Sequence, residues 1–343
     1  MQEINLNIPD IPAEKLTLVH KNPSDFHEVS VVYENTSYWR DVTLKMLHNR
    51  GAMVGIAMIV GIILLALFAP IASARTYDDV ILEHNFLSPR IPVLENFGIF
   101  DGVKDGVDVY AQRGIPDDVY YFFGTDSLGR DLWTRLWSGT RLSLLIAVIA
   151  VVIDLAIGMS YGLISGYFGK KVDFLMQRFV EILNGIPQVV LVTLFALVLE
   201  PGISSIILAL LVSGWIPMSR VARAQMLKQK SQEYVLASHT LGTNNRKTIF
   251  REIVPNVLGQ VVTMSMFSIP SAIFTESYLS YIGLGVRAPM ASLGSLVSDG
   301  YGSFLSYPYL VIAPVTVLAI LMISFNLFAD GLRDAVDPTM KDM

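Results

Sequence analysis

The sequence predicts an all-α membrane protein with six transmembrane helices. Hydrophobic residues make up 52% of the 343 residues. Charged residues are only 16%, against about 25% in soluble domains. Six separate apolar stretches approach the roughly 20 residues that cross a bilayer. The mean hydropathy of +0.51 excludes a disordered chain, and a net charge of −5 with a pI near 5.6 speaks against a nucleic-acid partner. With no cysteine there is no disulfide framework, thiolate metal site or Cys nucleophile.

Residues 1–52 read as a cytoplasmic amino-terminal segment, polar and without clear period over residues 1–37. Trp39, Val42, Met46 and Leu47 then share one helical face, with Arg40, Lys45 and Arg50 elsewhere, as in a helix lying in the membrane interface. The first span, Met53–Ala74, follows too much polar chain to be a cleaved signal peptide. Residues 75–140 are too long for an ordinary connection and predict a small ordered lobe. The lobe holds 6 basic and 11 acidic residues, so the whole formal charge of the chain sits there. Its Asp101, Asp105 and Asp108 lack the spacing and distal Glu of an EF-hand loop and read as a solvated acidic face, with a cation or partner-protein contact as the alternative.

The remaining spans fall in a core of residues 141–328: Leu142–Ile164, Phe179–Leu199, Ile203–Met218, Val257–Ile282 and Tyr309–Phe328. The fourth is short. Residues 329–343 form a tail. Lys170, Lys171, Arg220, Arg223, Lys228, Lys230, Arg246, Lys247 and Arg251 lie in alternate loops, which predicts those loops, and both termini, to be cytoplasmic. Residues 75–140 are then external.

Polar residues inside the spans point either to a pathway or to hydrogen bonding between helices, with Asp154 and Glu276 as structural acids in the second case. Asp154 lies near the middle of the second span, where a charge must face protein or water. Asn184 and Gln188 flank Pro187, which removes a backbone donor and predicts a kink. The fifth span carries Thr263, Ser265, Ser268, Ser271, Thr275 and Glu276, and Pro270 predicts a second break. Gly158, Gly162 and Gly166 recur every four residues and predict close helix packing. His20, His27, His48, His84 and His239 all lie outside the spans, which disfavours a bare transition-metal ion as cargo. No metal site and no catalytic residue is expected.

Residues 219–256 form the basic loop between the fourth and fifth spans. Glu233–Asn256 reads as two short helices around Gly242, which suits a left-handed C-terminal cap. The second helix is expected over Asn245–Ile253, ending before Pro255. Such a hairpin is a docking knob for a partner groove. The chain has no phosphate-binding loop: Gly166–Lys171 has the wrong spacing and no Ser or Thr after Lys.

This hairpin resembles the EAA loop of importer permeases of the ATP-binding-cassette class. Leu236-Ala237-Ser238 stands at Glu-Ala-Ala, with Leu236 and Ser238 as departures, while Gly242 and Pro255 stand at the fixed glycine and proline. FGTDSLGRDLWTRLWSGTRLSL (Phe123–Leu144), ESYLSYIGLGVRAPMASLGSLVSDG (Glu276–Gly300) and FNLFADGLRDAVDP (Phe325–Pro338) resemble segments of the oligopeptide, dipeptide and nickel permeases, closest to their C-type subunit. The resemblance covers about 38–343, without 76–118. It implies a type I importer permease fold in a bacterial cytoplasmic membrane, moving oligopeptides by alternating access. The implied partners are a second homologous permease, two ATPase subunits, an external or lipid-anchored peptide-binding protein, the peptide and membrane lipid. The implied cofactors, ATP and Mg, belong to the ATPases. On this resemblance Glu233, Ala237, Ser238, Gly242, Arg246 and Pro255 couple to the ATPase. Dipeptides, nickel chelates or another small solute are alternative cargoes. A stand-alone secondary transporter, with Asp154 coupling protons, is the remote alternative.

Overall fold

The computed structural model describes residues 38–73 and 75–336. The polar segment 1–37 and the end of the expected tail lie outside the described residues. The first element, α1 (Tyr38–His48), packs Val42 and Met46 against Leu332, Ala335 and Val336 near the other end of the chain. Trp39 and Leu47 stay about half exposed. The apolar face read from the sequence is thus divided between the chain's own core and the outside.

Among the described residues five helices are long and apolar enough to cross a membrane, and a bent pair, taken as one span, makes the sixth. They are α2 (Arg50–Ala72), α4 (Leu132–Phe168), the pair α5 (Lys170–Asn184) and α6 (Gln188–Leu199), α7 (Ile203–Lys230), α9 (Asn245–Tyr281) and α11 (Tyr309–Val336). Between α2 and α4 lies the lobe, with a hairpin of β1 (Val103–Lys104) and β2 (Val107–Asp108) and a short α3 (Val109–Gln112). The helix α8 (Glu233–Thr240) joins α7 to α9, and α10 (Leu293–Tyr301) joins α9 to α11.

Helix boundaries depart from the expected ones because hydropathy registers only the apolar part of a helix. At 37 residues, α4 is about 55 Å long against a hydrocarbon core of about 30 Å. It starts ten residues before Leu142, where the Asp131 carboxylate accepts from the amides of Trp133 (3.2 Å) and Thr134 (3.3 Å). Similarly α2 starts just after Asn49, whose side chain accepts from the Ala52 amide at 3.1 Å. The fourth span is not short, since α7 runs on through Arg220, Arg223 and Lys228.

Two proline expectations separate. The chain bends by 72° between Asn184 and Gln188, where Pro187 has no amide to continue the ladder. Pro270 stands inside an unbroken α9; neighbouring helices hold that backbone, so the expected second break is absent. Pro255 does not end a helix either. Asn245 begins α9 itself, and a π segment over Thr248–Ile253 leads into the span. The wider π turn shifts the hydrogen-bond register just before Pro255, where a missing donor costs little.

A glycine seam joins α4 to α7. A side chain at Gly158 would stand 2.7 Å from the Trp215 carbonyl, and one at Gly166 2.8 Å from Met226 Cβ. At Gly162 it would collide with the Ser219 carbonyl and with Ala222. The spacing of four places all three on one face, and the backbones approach closely because nothing stands between them.

The lobe has its own core of Leu87, Tyr110, Ile115 and Tyr121. Its acidic run serves turns. Asp101 accepts from the Val103 amide (3.0 Å), Asp105 turns at φ 51°, and Asp108 caps α3 through the amides of Tyr110 (2.9 Å) and Ala111 (3.0 Å). Among the described residues no cluster of His, Cys, Asp and Glu is suited to a metal ion.

Candidate functional site: a polar cavity and a glycine-tipped hairpin

A cavity of about 500 Å³ opens between α4, the α5–α6 bend, α7 and α9. It brings together Asp154, Asn184, Gln188, Ser268 and Thr275, which the sequence singles out from three separate spans. Each arrives by a local feature. Asp154 begins a π segment, Asp154–Met159, that widens α4 at that level. Asn184 and Gln188 flank the bend, where the chain turns its polar groups inward. Ser268 and Thr275 sit seven residues apart on α9, two helical turns on one face. Ser271, another polar residue of the fifth span, lines the space too, and so does Ser213, which was not anticipated. A single serine in the apolar fourth span carries no signal until the helices pack.

Glu276 is not part of this cavity. It is fully buried and accepts from Ser143 Oγ of α4 (2.8 Å) and from Ser280 Oγ (2.7 Å). Ser143 Oγ in turn accepts from the Leu293 amide at the start of α10 (3.4 Å). The carboxylate therefore ties α4, α9 and α10 together. In sequence it is adjacent to Thr275, but in a helix neighbours point about 100° apart.

The hairpin end is built differently. Gly242 follows α8 with φ +78° and has open space around it. The left-handed conformation anticipated from the sequence is present, and it frees the chain to reverse toward α9. Glu233, Ala237, Arg246 and Pro255 are exposed, and Ser238 is half-buried. Around them Leu236, Leu241 and Phe250 present apolar surface, Leu241 being 86% exposed. Beneath this surface the hairpin is tied to the bundle. Tyr167 Oη donates to Asn245 Oδ1 at 2.9 Å. Arg223 makes a bidentate pair with Asp173 (2.6 and 2.5 Å), and Ser165 donates to the same carboxylate at 2.5 Å. That triad links α4, α5 and α7, and it was not foreseen because its members lie in three elements.

At the lobe end the GTDSLGRD segment folds on itself. Asp126 accepts from the amides of Leu128 (2.9 Å) and Arg130 (3.0 Å) and from Arg130 Nε (2.7 Å). Arg135, 1% exposed, reaches Asp126 (3.5 Å) and Asp299 of α10 (3.3 Å). Thr125 donates to the His84 carbonyl (2.5 Å) and accepts from the Leu87 amide (2.8 Å). Burial, then the nearby Arg75 charge, hold His84 below its usual range, and its Nδ1 lies 2.6 Å from Tyr121 Oη. Arg90 holds Glu95 below the usual carboxylate range through a 2.7 Å hydrogen bond.

Six spans around a polar cavity, with a helix-and-glycine knob at one end, define a membrane permease. The chain belongs to the family described as the binding-protein-dependent transport system inner membrane component, whose model matches residues 158–342. Residues 37–89 match the N-terminal TM domain of oligopeptide transport permease C. The oligopeptide transport system permease protein OppC of Bacillus subtilis is 39% identical, over 97% of this chain and 99% of its own length. The dipeptide transport system permease protein DppC of Lactococcus lactis is 47% identical over 69% of each chain. A chain of the MetNI methionine ABC transporter in an inward-facing conformation shares the fold. Its TM-score is 0.51 at 16% identity, covering 60% of this chain and 97% of that one. The protein is thus a multi-pass membrane permease of the ABC importer class, with the ATPase in separate subunits.

Proposed function

We propose that this chain forms half of the pathway of an ATP-driven oligopeptide importer in a bacterial cytoplasmic membrane. A second homologous permease completes the pathway, two ATPase subunits dock on the hairpin, and an external or lipid-anchored binding protein delivers peptide at the lobe end. Both termini are cytoplasmic in this reading, in line with the basic residues at the hairpin end. The single observation that carries it is the alignment of parts. The cavity is walled by the same helices, α7 and α9, whose ends flank the hairpin. A push on the hairpin therefore acts directly on the cavity walls, as alternating access between outward and inward openings needs. Glu233, Ala237, Ser238, Gly242, Arg246 and Pro255 form the docking surface. Asp154, Asn184, Gln188, Ser268 and Thr275 line the path, and Glu276 supports its wall.

The test is uptake of a radiolabelled pentapeptide in cells lacking this chain and any redundant peptide system. Wild type restores ATP-dependent uptake, and Gly242→Val inserts normally but does not. Normal uptake with Gly242→Val would remove the coupling role. A dipeptide cargo is the second reading, favoured by the similarity to DppC. Uptake of dipeptide but not pentapeptide would select it.

A further inference from the structure

The cavity has an unbalanced chemistry. Asp154 is the one charged side chain among the described residues that line it. A carboxylate at that depth calls for a positive partner, and none of the described lining residues is basic. Two of the four lining hydroxyls have their protons engaged within their own helices. Ser213 Oγ donates to the Ala209 carbonyl of its own helix (3.4 Å), and Thr275 Oγ1 to that of Ser271 (2.8 Å). Ser268 Oγ lies 3.3 Å from the Met264 carbonyl and also pairs with Asp154. At Ser213 and Thr275, hydroxyl protons held by carbonyls four residues back leave oxygen lone pairs free for other donors. The side-chain amides of Asn184 and Gln188 add carbonyl acceptors and N–H donors alike. Among the described lining residues the site therefore carries one carboxylate, neutral hydrogen-bonding groups and no fixed cation.

We propose that Asp154 and the surrounding oxygens receive the ammonium group of the passing substrate. An ammonium brings one positive charge and three donors, the complement of what the wall presents. In a peptide this group is the amino terminus or a lysine side chain. The π segment beginning at Asp154 supports the assignment independently. It breaks the i→i−4 ladder of α4 at the level of the carboxylate, and such bulges are frequent at functional sites. Glu276 provides the contrast within the same bundle: its oxygens accept from Ser143 and Ser280, so it faces no open space.

The proposal rests on the peptide reading, and the experiment separates the two. The complete complex is reconstituted with its binding protein. Uptake is measured for a pentapeptide, for its des-amino analogue and for a des-amino analogue with an internal lysine. Each is supplied at saturation of the binding protein, which Asp154 substitutions do not touch. Asp154→Asn is expected to slow the free-amine peptide about tenfold, the effect of losing one hydrogen bond to a charged group. The des-amino peptide should stay within about twofold of its wild-type rate, and Asp154→Glu should restore most of the free-amine rate. Sensitivity of the lysine-bearing analogue to Asp154→Asn would extend the site to side-chain ammonium. Insensitivity would confine it to the amino terminus. Equal slowing of all three peptides, no slowing of any, or equal loss in Asp154→Glu and Asp154→Asn would each overturn the assignment. A wild-type complex that hydrolyses ATP and moves none of the peptides would overturn the peptide reading, and this proposal with it. For any analogue the binding protein does not carry, a photoreactive group at the amino end of the pentapeptide gives a second measurement. Labelling of the α4 wall around Asp154 is expected, and labelling confined to other helices would overturn the proposal.

Discussion

Glu276 and Asp154 are both carboxylates among membrane-spanning helices, yet one is enclosed and the other opens on a cavity. Glu276 accepts from hydroxyls on two helices and has no exposed surface. Asp154 is 7% exposed, meets Ser268 and lines the cavity. The same division runs through the molecule. The glycine seam, the Asp173–Arg223 pair and the lobe network satisfy their groups within the chain. The cavity and the hairpin leave polar and apolar groups unsatisfied, which is what a passing solute and a docking partner need. Enclosed groups should therefore be read in stability, and open ones in transport.

Breaking the enclosed carboxylate should give the largest structural effect. Glu276→Ala leaves Ser143 and Ser280 without their acceptor and opens a void, a loss of about 3 kcal/mol. Thermal unfolding of the detergent-solubilised complex should show it, while Asp154→Asn should melt within a degree or two of wild type. Equal melting losses would erase the contrast. Next in size is the seam. Gly162→Val drives a side chain into the Ser219 carbonyl, and overpacking of this kind costs about 2 kcal/mol. Reduced accumulation in the membrane would report it, and an unchanged level would mean that α4 and α7 part more readily than their packing implies.

Gly242→Val sharpens the comparison from the open side. Its cost is the strain of φ +78° for a branched residue, about 1 kcal/mol, at an exposed tip with space around it. Melting should barely move, while ATP-coupled uptake is lost. Smallest is a pH effect in the lobe. His84 is held below its ordinary value of 6.5 by burial and by Arg75. Between that lowered value and 6.5 the unfolded lobe binds more protons than the folded one, so stability rises with pH. Acidification from pH 7.5 to 5.5 should increase hydrogen exchange over residues 84–125, after correction for intrinsic rates. His84→Gln should flatten that dependence.

Much of this was legible along the chain. Five cavity-lining residues were visible because polar side chains in apolar spans are costly and therefore conspicuous. Gly242 was visible because a left-handed turn after a helix selects for glycine. Glu276 was conspicuous for the same reason as Asp154, but burial against Ser143 and exposure to a cavity look identical in sequence. Pro187 and Pro270 likewise look alike, and only the packing around them separates a 72° bend from an unbroken helix. The Asp173–Arg223 pair and the Arg135 network were invisible because they join residues about 50 and 160 positions apart.

The sequence by itself determined that the chain crosses a membrane, roughly where its spans lie, and that a glycine-tipped hairpin separates the fourth from the fifth. Those properties follow from local apolar content and local backbone preference, which each segment carries alone. Tertiary structure decided which acid is enclosed and which is open, where the long helices begin and end, and which hydroxyls share a cavity. Those depend on what each side chain meets across the bundle, and no single segment contains its own neighbours.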